Sequence, residues 1–378
     1  MKILILSCNT GEGHNSAANA LYKGFTNYGI ECEIADTLLF SGKRNTKLVT
    51  TSFNSIIKRA PKVFGAAYEV SGMYSSTKMN SPIYYANTLY GKKLFRYIAD
   101  KQFDTIICTH LFAMESMTYI RKKYPLNAKC YGVLTDYTCV PFLAETDING
   151  YFVPHMDIKI ECTNRGMPER KIFPTGIPVD PKFNKSIEKS RARELLGIPK
   201  DKKMYLIMTG GLGFGKVTKL CEILNSENSD EAYIYVLVGK NIDLKNTIDN
   251  NNKFANIVKT IEFTDKVNLY MSAADVLLSK PGGISSTEAA IVGVPLIHTL
   301  AIPGVETKNA RFFAYKGMSI NARTIEDAAY STKMLGNNPV ISEHMIEMQR
   351  QNINSNATDD IVKSIKELSL TVQIGINN

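Results

Sequence analysis

Two groups of residues have the types and spacing for chemistry. The first runs from Ser279 to Pro295, through Lys280-Pro-Gly-Gly-Ile-Ser-Ser-Thr-Glu288 and Gly293. The short apolar run Asp275–Ser279 before it reads as a buried strand. Gly282 and Gly283 permit a sharp turn that a ligand can approach without a Cβ clash. Ser285, Ser286 or Thr287 is placed to cap a helix running to about Val292, which Gly293 would end. The amides of Gly282, Gly283, Ile284 and Ser285 would then face outward at the positive end of a helix, where phosphate binds. Glu288, a turn later, either supports the helix dipole or accepts the two hydroxyls of a ribose. The second group is Thr10-Gly-Glu-Gly-His14-Asn15, directly after an apolar strand. A neutral imidazole at such a strand end is suited to take a proton near neutral pH, or else it caps the following helix. Asp136, in Leu134-Thr-Asp-Tyr137, is either a strand-end cap or a partner that orients His14. Gly210-Gly-Leu-Gly-Phe-Gly-Lys216 nearly spells a nucleotide-binding P-loop, but Val217 stands where a magnesium-binding hydroxyl belongs. Gly210 and Gly211 open either an ordinary strand-to-helix turn or a glycine loop of another kind.

The elements that must hold these residues alternate along the chain. Lys2–Ser7 reads as a strand, Ser16–Tyr28 as a helix and Glu31–Asp36 as a second strand. Asp36 falls where a dinucleotide fold keeps its ribose acid, yet the full Gly-x-Gly-x-x-Gly that such a fold needs is missing. Further strands are expected at Thr105–Thr109, Lys129–Thr135 and Gly150–Pro154, with a helix over 112–123. The turn-rich segment Pro174–Pro181 leads out of this region. The pattern then repeats: a helix over 190–196, strands at Met204–Thr209, Tyr233–Val238 and Ile257–Ile261, a helix over 266–273, and the glycine-turn region. Strand Leu296–Thr299, a helix over 308–315, strand Met318–Ile320 and a mostly helical tail follow. Such alternation implies parallel sheets covered on both faces, hence an α/β class with two Rossmann-like domains. The expected boundaries are 1–178, 179–355 and a terminal helical segment, 356–378.

The 378 residues suffice for two domains, and 44% hydrophobic against 21% charged content describes a globular chain. No apolar run approaches the roughly 18 residues that a bilayer span needs. The apolar start is too short for a signal peptide and is followed by polar residues, so a first strand is expected there. Seven scattered cysteines without a Cys-x-x-Cys suggest reduced thiols in a cytosolic protein and no zinc site. Between Lys43 and Lys101 eleven Lys or Arg face two acids, an excess as large as the +9 of the whole chain. Within this stretch Phe53, Ile56, Ile57 and Phe64 interleave with Lys58, Arg59 and Lys62 at helical spacing, broken near Pro61. A basic amphipathic helix of this kind lies in an anionic membrane surface, or else buries its apolar face in a core. No nucleic-acid-binding motif is present, so nucleic acid is not expected as a partner.

Lys280-Pro-Gly-Gly-x-x-x-x-Glu-Ala-x-x-x-Gly-x-Pro295, followed by Pro303-Gly-x-Glu306-x-x-Asn309-Ala-x-Phe-Phe313, resembles the donor site of UDP-sugar glycosyltransferases. The similarity is closest to the monogalactosyldiacylglycerol synthases and processive diacylglycerol glucosyltransferases, with the transferases that make lipid II as more distant relatives. Gly11-x-Gly13-His14-x-x-Ala17-Ala18-x-Ala20-Leu21 resembles the same family independently. The resemblance implies the GT-B arrangement, in which two domains face a central cleft and the last helix crosses back to the first domain. It implies an inverting transfer of a hexose from a UDP-sugar to diacylglycerol or a glycosyl-diacylglycerol, peripheral on the inner face of the cell membrane, with no cofactor and no metal. It implies that His14 is the base, Asp136 belongs to the acceptor side, the Gly210–Gly211 loop lies near the diphosphate, Phe263 lies near the uracil, Glu288 holds the ribose, and Glu306 with Asn309 holds the sugar. Val305 stands where relatives often carry a sugar-binding glutamine, which leaves the identity of the sugar open. Val140 and Leu143 stand where some relatives carry histidine and tryptophan, which leaves the acceptor open too. Other readings are a lipid II-type transferase, an epimerase, or a catalytically weak module that binds nucleotide sugar.

Overall fold

A computed structural model describes residues 1–42, 51, 61–75, 80–209, 216–228, 232–254, 257–299 and 301–374, with backbone only at 61, 62, 64, 73, 74, 227, 228 and 370–374. The chain forms two compact units: Met1–Pro181 with Pro303–Val305 and Asn354–Asn378, and Lys182–Ile302 with Glu306–Ile353.

The first unit contains β1 (Lys2–Ser7), α1 (Glu12–Asn27), β2 (Glu31–Asp36), α2 (Pro61–Ser75), α3 (Pro82–Thr88), α4 (Gly91–Asp100), β3 (Thr105–Cys108), α5 (Leu111–Lys123), β4 (Lys129–Val133), β5 (Gly150–Val153), α6 (Met156–Asn164) and β6 (Ile172–Pro174). The strands form one six-stranded sheet in the order β2-β1-β3-β4-β5-β6, and every pairing is parallel. Burial on both faces explains why β1 reads as an unbroken apolar run, with Ile3, Leu4, Ile5 and Leu6 all buried. In the core Ile3, Ile5 and Ile107 meet Leu21 and Phe25 of α1.

The second unit contains α7 (Lys189–Leu196), β7 (Lys203–Met208), α8 (Val217–Asn228), β8 (Ala232–Gly239), α9 (Ile242–Asp249), β9 (Val258–Glu262), α10 (Val267–Ala273), β10 (Val276–Ser279), α11 (Gly283–Val292), β11 (Leu296–His298), α12 (Val305–Tyr315), β12 (Ile320–Asn321), α13 (Ile325–Asn337) and α14 (Pro339–Asn352). Its sheet has the order β12-β11-β10-β7-β8-β9, again with parallel pairings throughout. The last helix, α15 (Ala357–Ile374), belongs to the first unit, where Ile361, Val362 and Ile365 join the core beside α1. Gly24 makes this approach possible, since a Cβ there would lie 2.9 Å from the Thr358 methyl. Among the described residues no helix is long and apolar enough to cross a membrane.

Several elements depart from the sequence expectation. β6, which ends at the first residue of the turn-rich Pro174–Pro181 segment, was not anticipated; as an edge strand it tolerates Pro174. α6 was not anticipated, because its cap is His155, whose side chain accepts from the Asp157 amide, and not one of the usual capping residues. α1 begins at Glu12, not Ser16, so His14 lies in the first helical turn. Asp36 is occupied locally: its carboxylate accepts from the Leu38 amide and from Asn9 Nδ2.

Candidate functional site

In the first unit the ends of β1, β3 and β4 bring together His14, Thr109, Thr135 and Asp136, the edge at which open parallel sheets bind ligands. His14 Nδ1 lies 2.9 Å from the Thr109 carbonyl oxygen. A carbonyl only accepts, so Nδ1 carries the hydrogen and Nε2 keeps its lone pair. Thr135 Oγ1, 3.0 Å from Nδ1, accepts a second share of that N–H and donates to Asp136 Oδ2 at 3.4 Å. The Thr109 hydroxyl in turn donates to the His14 carbonyl. Burial lowers the His14 pKa, against the opposing charge of Asp136 and the bond to Thr109. The ring is therefore neutral near pH 7, in the tautomer a general base requires. His110 packs edge-on against it, with ring centroids 4.5 Å apart. That second histidine is a helix cap, its Nδ1 accepting from the Phe112 amide.

His14 and Asp136 open onto a cavity of about 300 Å³ whose lining is mainly apolar, with Leu111, Phe112, Met114, Val140, Pro141 and Phe142 contributing. Phe142 has a left-handed backbone, φ 68°, which is uncommon for a bulky residue. Its amide donates to Ser75 Oγ of α2. Sequence reasoning missed the Thr109 carbonyl, Thr135 and Phe142. Only Thr135, adjacent to Asp136, carried any local signal.

In the second unit the glycine turn lies at the end of β10, before α11. Helix α11 starts at Gly283, with Gly282 as its N-cap and no side-chain capping bond. This corrects the expected cap at Ser285, Ser286 or Thr287. The glycine pair lets the chain enter the helix directly, and the buried hydroxyls are used elsewhere. Ser286 Oγ meets His298 Nε2 at 2.8 Å, and Thr287 Oγ1 donates to the Gly283 carbonyl. The amides of Gly283, Ile284 and Ser285 precede the first intrahelical bond, which Ser286 donates to the Gly282 carbonyl. A Cβ at Gly282 would meet nothing within 4 Å, so the turn faces open space. Glu288 is half-buried on the same helix.

Glu306 and Asn309, both buried, brace this turn. Lys280 Nζ lies 2.7 Å from Glu306 Oε1, and Glu306 Oε2 accepts from the Ile302 amide. Asn309 Nδ2 donates to the Pro281 carbonyl. Phe263, just after β9, is 75% exposed, with Lys240 Nζ 5.4 Å from its ring centre. Gly210 and Gly211 lie outside the described residues, as do Phe53, Ile56, Ile57, Lys58 and Arg59; of Lys62 and Phe64 only the backbone, in α2, is described.

Two family models match the two halves of the chain. Residues 14–179 match the monogalactosyldiacylglycerol synthase model, and residues 205–363 match the C-terminal domain of glycosyltransferase family 28. A processive diacylglycerol beta-glucosyltransferase of Bacillus pumilus is 30% identical, over 97% of this chain and 95% of that one. Its Bacillus subtilis counterpart is 28% identical over 96% and 94%. Among solved structures, MurG of Acinetobacter baumannii superposes with a TM-score of 0.65 at 14% identity, over 97% of this chain and 100% of that one. A UDP-GlcNAc 2-epimerase of Neisseria meningitidis gives 0.62 at 16% identity, over 98% and 100%. These likenesses show a shared α/β fold of the GT-B class. With two parallel sheets of that fold, a histidine set at one sheet edge and near-full-length similarity to curated relatives, the chain belongs to the glycosyltransferase family of monogalactosyldiacylglycerol synthases and processive diacylglycerol glucosyltransferases.

Proposed function

We propose that the chain moves a hexose from a UDP-sugar to diacylglycerol or a glycosyl-diacylglycerol, with inversion, while peripheral on the cytoplasmic face of the membrane. The observation that carries this reading is the tautomer of His14: a neutral ring, pinned at Nδ1, with a basic Nε2 beside an apolar cavity. The cavity receives the lipid end of the acceptor. As the acceptor hydroxyl oxygen bonds to the anomeric carbon, its proton passes to Nε2. The bond from that carbon to the diphosphate breaks, and UDP leaves carrying the electron pair. The amides of Gly283, Ile284 and Ser285 meet the diphosphate, whose charge grows in the transition state, where fixed dipoles act most strongly. Glu288 holds the ribose, Phe263 lies by the uracil, and the Glu306–Asn309 pair borders the sugar.

UDP release from a panel of UDP-sugars, with and without diacylglycerol, tests the reading when the lipid products are identified by mass spectrometry. Release that depends on lipid, together with glycosylated diacylglycerol, is the expected result. Conversion of the UDP-sugar without lipid points instead to an epimerase. His14→Ala should lower kcat by about 10²–10⁴-fold with donor KM little changed. A mild effect removes the base role from His14.

A further inference from the structure

His298 has no place in the chemistry above, yet it is fully buried behind the glycine turn. It ends β11, and both of its ring nitrogens are engaged. Nε2 lies 2.8 Å from Ser286 Oγ of α11, and Nδ1 lies 3.1 Å from Ser319 Oγ, just ahead of β12. The ring also packs edge-on against Phe313 of α12, with centroids 5.3 Å apart. One side chain thus joins β11, α11, α12 and the approach to β12. Burial drives its pKa down to about 3, so the ring stays neutral and acts by geometry, not by charge.

The location matters because the first turn of a helix is its least constrained part, lacking intrahelical bonds for its leading amides. In α11 the N-cap adds no side-chain bond. The first intrahelical bond runs from the Ser286 amide to the Gly282 carbonyl at 2.9 Å. Ser286 is the residue that His298 grips. Burying an imidazole and two hydroxyls is favourable only when each satisfies another, and such a closed network holds one arrangement rigidly. We propose that His298 is a positioning residue that, through Ser286, holds the first turn of α11 so that the Gly283, Ile284 and Ser285 amides converge on the donor diphosphate. This rests on the reading of that turn as the diphosphate site. The uridine end of the donor, assigned to Glu288 and Phe263, lies beyond the residues that the His298 ring contacts, which are Ser286, Ser319 and Phe313.

The test compares UDP with uridine as ligands of the full chain, using direct binding for UDP and competition for uridine. Three variants are used: Ser286→Ala, His298→Phe, which keeps an aromatic ring but loses both hydrogen bonds, and His298→Gln, which restores a donor and an acceptor. Thermal melts establish that each is folded. In Ser286→Ala and His298→Phe, UDP affinity should fall about tenfold, as expected for losing the alignment of a charge-assisted hydrogen bond, with uridine affinity unchanged. His298→Gln should recover part of the loss. If His298→Phe fails to fold, Ser286→Ala decides the matter alone. Equal losses for UDP and uridine, or no loss for UDP, in folded Ser286→Ala overturn the inference while the donor site stands. If the unaltered chain fails to bind UDP, the donor-site reading falls and this inference falls with it.

Discussion

The base role proposed for His14 rests on what surrounds it. The Thr109 carbonyl and Thr135 hydroxyl both meet Nδ1, so the tautomer follows from hydrogen-bond chemistry. Burial, the largest influence, lowers its pKa below the ordinary 6.5, and the charge of Asp136 works in the opposite direction. A base must be unprotonated to work, so activity should fall as pH drops through this pKa, placing the acid limb of kcat/KM below pH 6.5. Asp136→Asn removes the charge that favours the imidazolium and should shift that limb to still lower pH. A pH–rate profile checks this; an unmoved limb would leave Asp136 only an acceptor-side role. The histidine was legible in the sequence because it follows a strand in a glycine-bearing segment. Its partners were not, since Thr109 and Thr135 lie 95 and 121 residues away and Thr109 acts through its backbone.

Helix α11 shows how composition shapes the start of an element. Gly282 has φ −75° and ψ 137°, a conformation alanine adopts freely, and a Cβ there meets nothing within 4 Å. Gly282→Ala should therefore leave the melting temperature unchanged or slightly raised, the gain being about 0.4–1 kcal/mol from the unfolded chain. In the donor site proposed above the added methyl would meet the diphosphate, so donor KM should rise several-fold. Calorimetry with steady-state kinetics separates the two effects, and a variant with unchanged KM would show that no ligand comes close to this turn. Gly293, with φ 78°, ends the helix as its sequence position suggests. The start was misread because three hydroxyl residues in a row look like a cap. In the fold two of them are buried and pair with other groups, Ser286 with His298 and Thr287 with the Gly283 carbonyl.

For the molecule as a whole, a net charge of +9 predicts attraction to an anionic bilayer. The full chain should sediment with vesicles rich in phosphatidylglycerol more than with phosphatidylcholine alone. Raising the salt should weaken this binding, since the screening length shrinks to about 3 Å near 1 M. Binding indifferent to lipid charge and salt would mean that the basic stretch serves another purpose. The amino-acid order alone determined that two parallel sheets form. Buried parallel strands must be apolar on both faces, and that signature survives in runs such as Ile3–Leu6 and Val276–Leu278. It also determined where the glycine turn and the histidine fall, because tight turns and strand ends leave local marks. Tertiary structure decided the rest. It settled which nitrogen of His14 keeps its lone pair, that Phe142 bends to wall a cavity, that Glu306 and Asn309 brace the turn, and that His298 grips Ser286. Each of these depends on a hydrogen bond or contact between groups distant in sequence. Such pairings exist only once the strands are in register, and no local pattern of residue types encodes them.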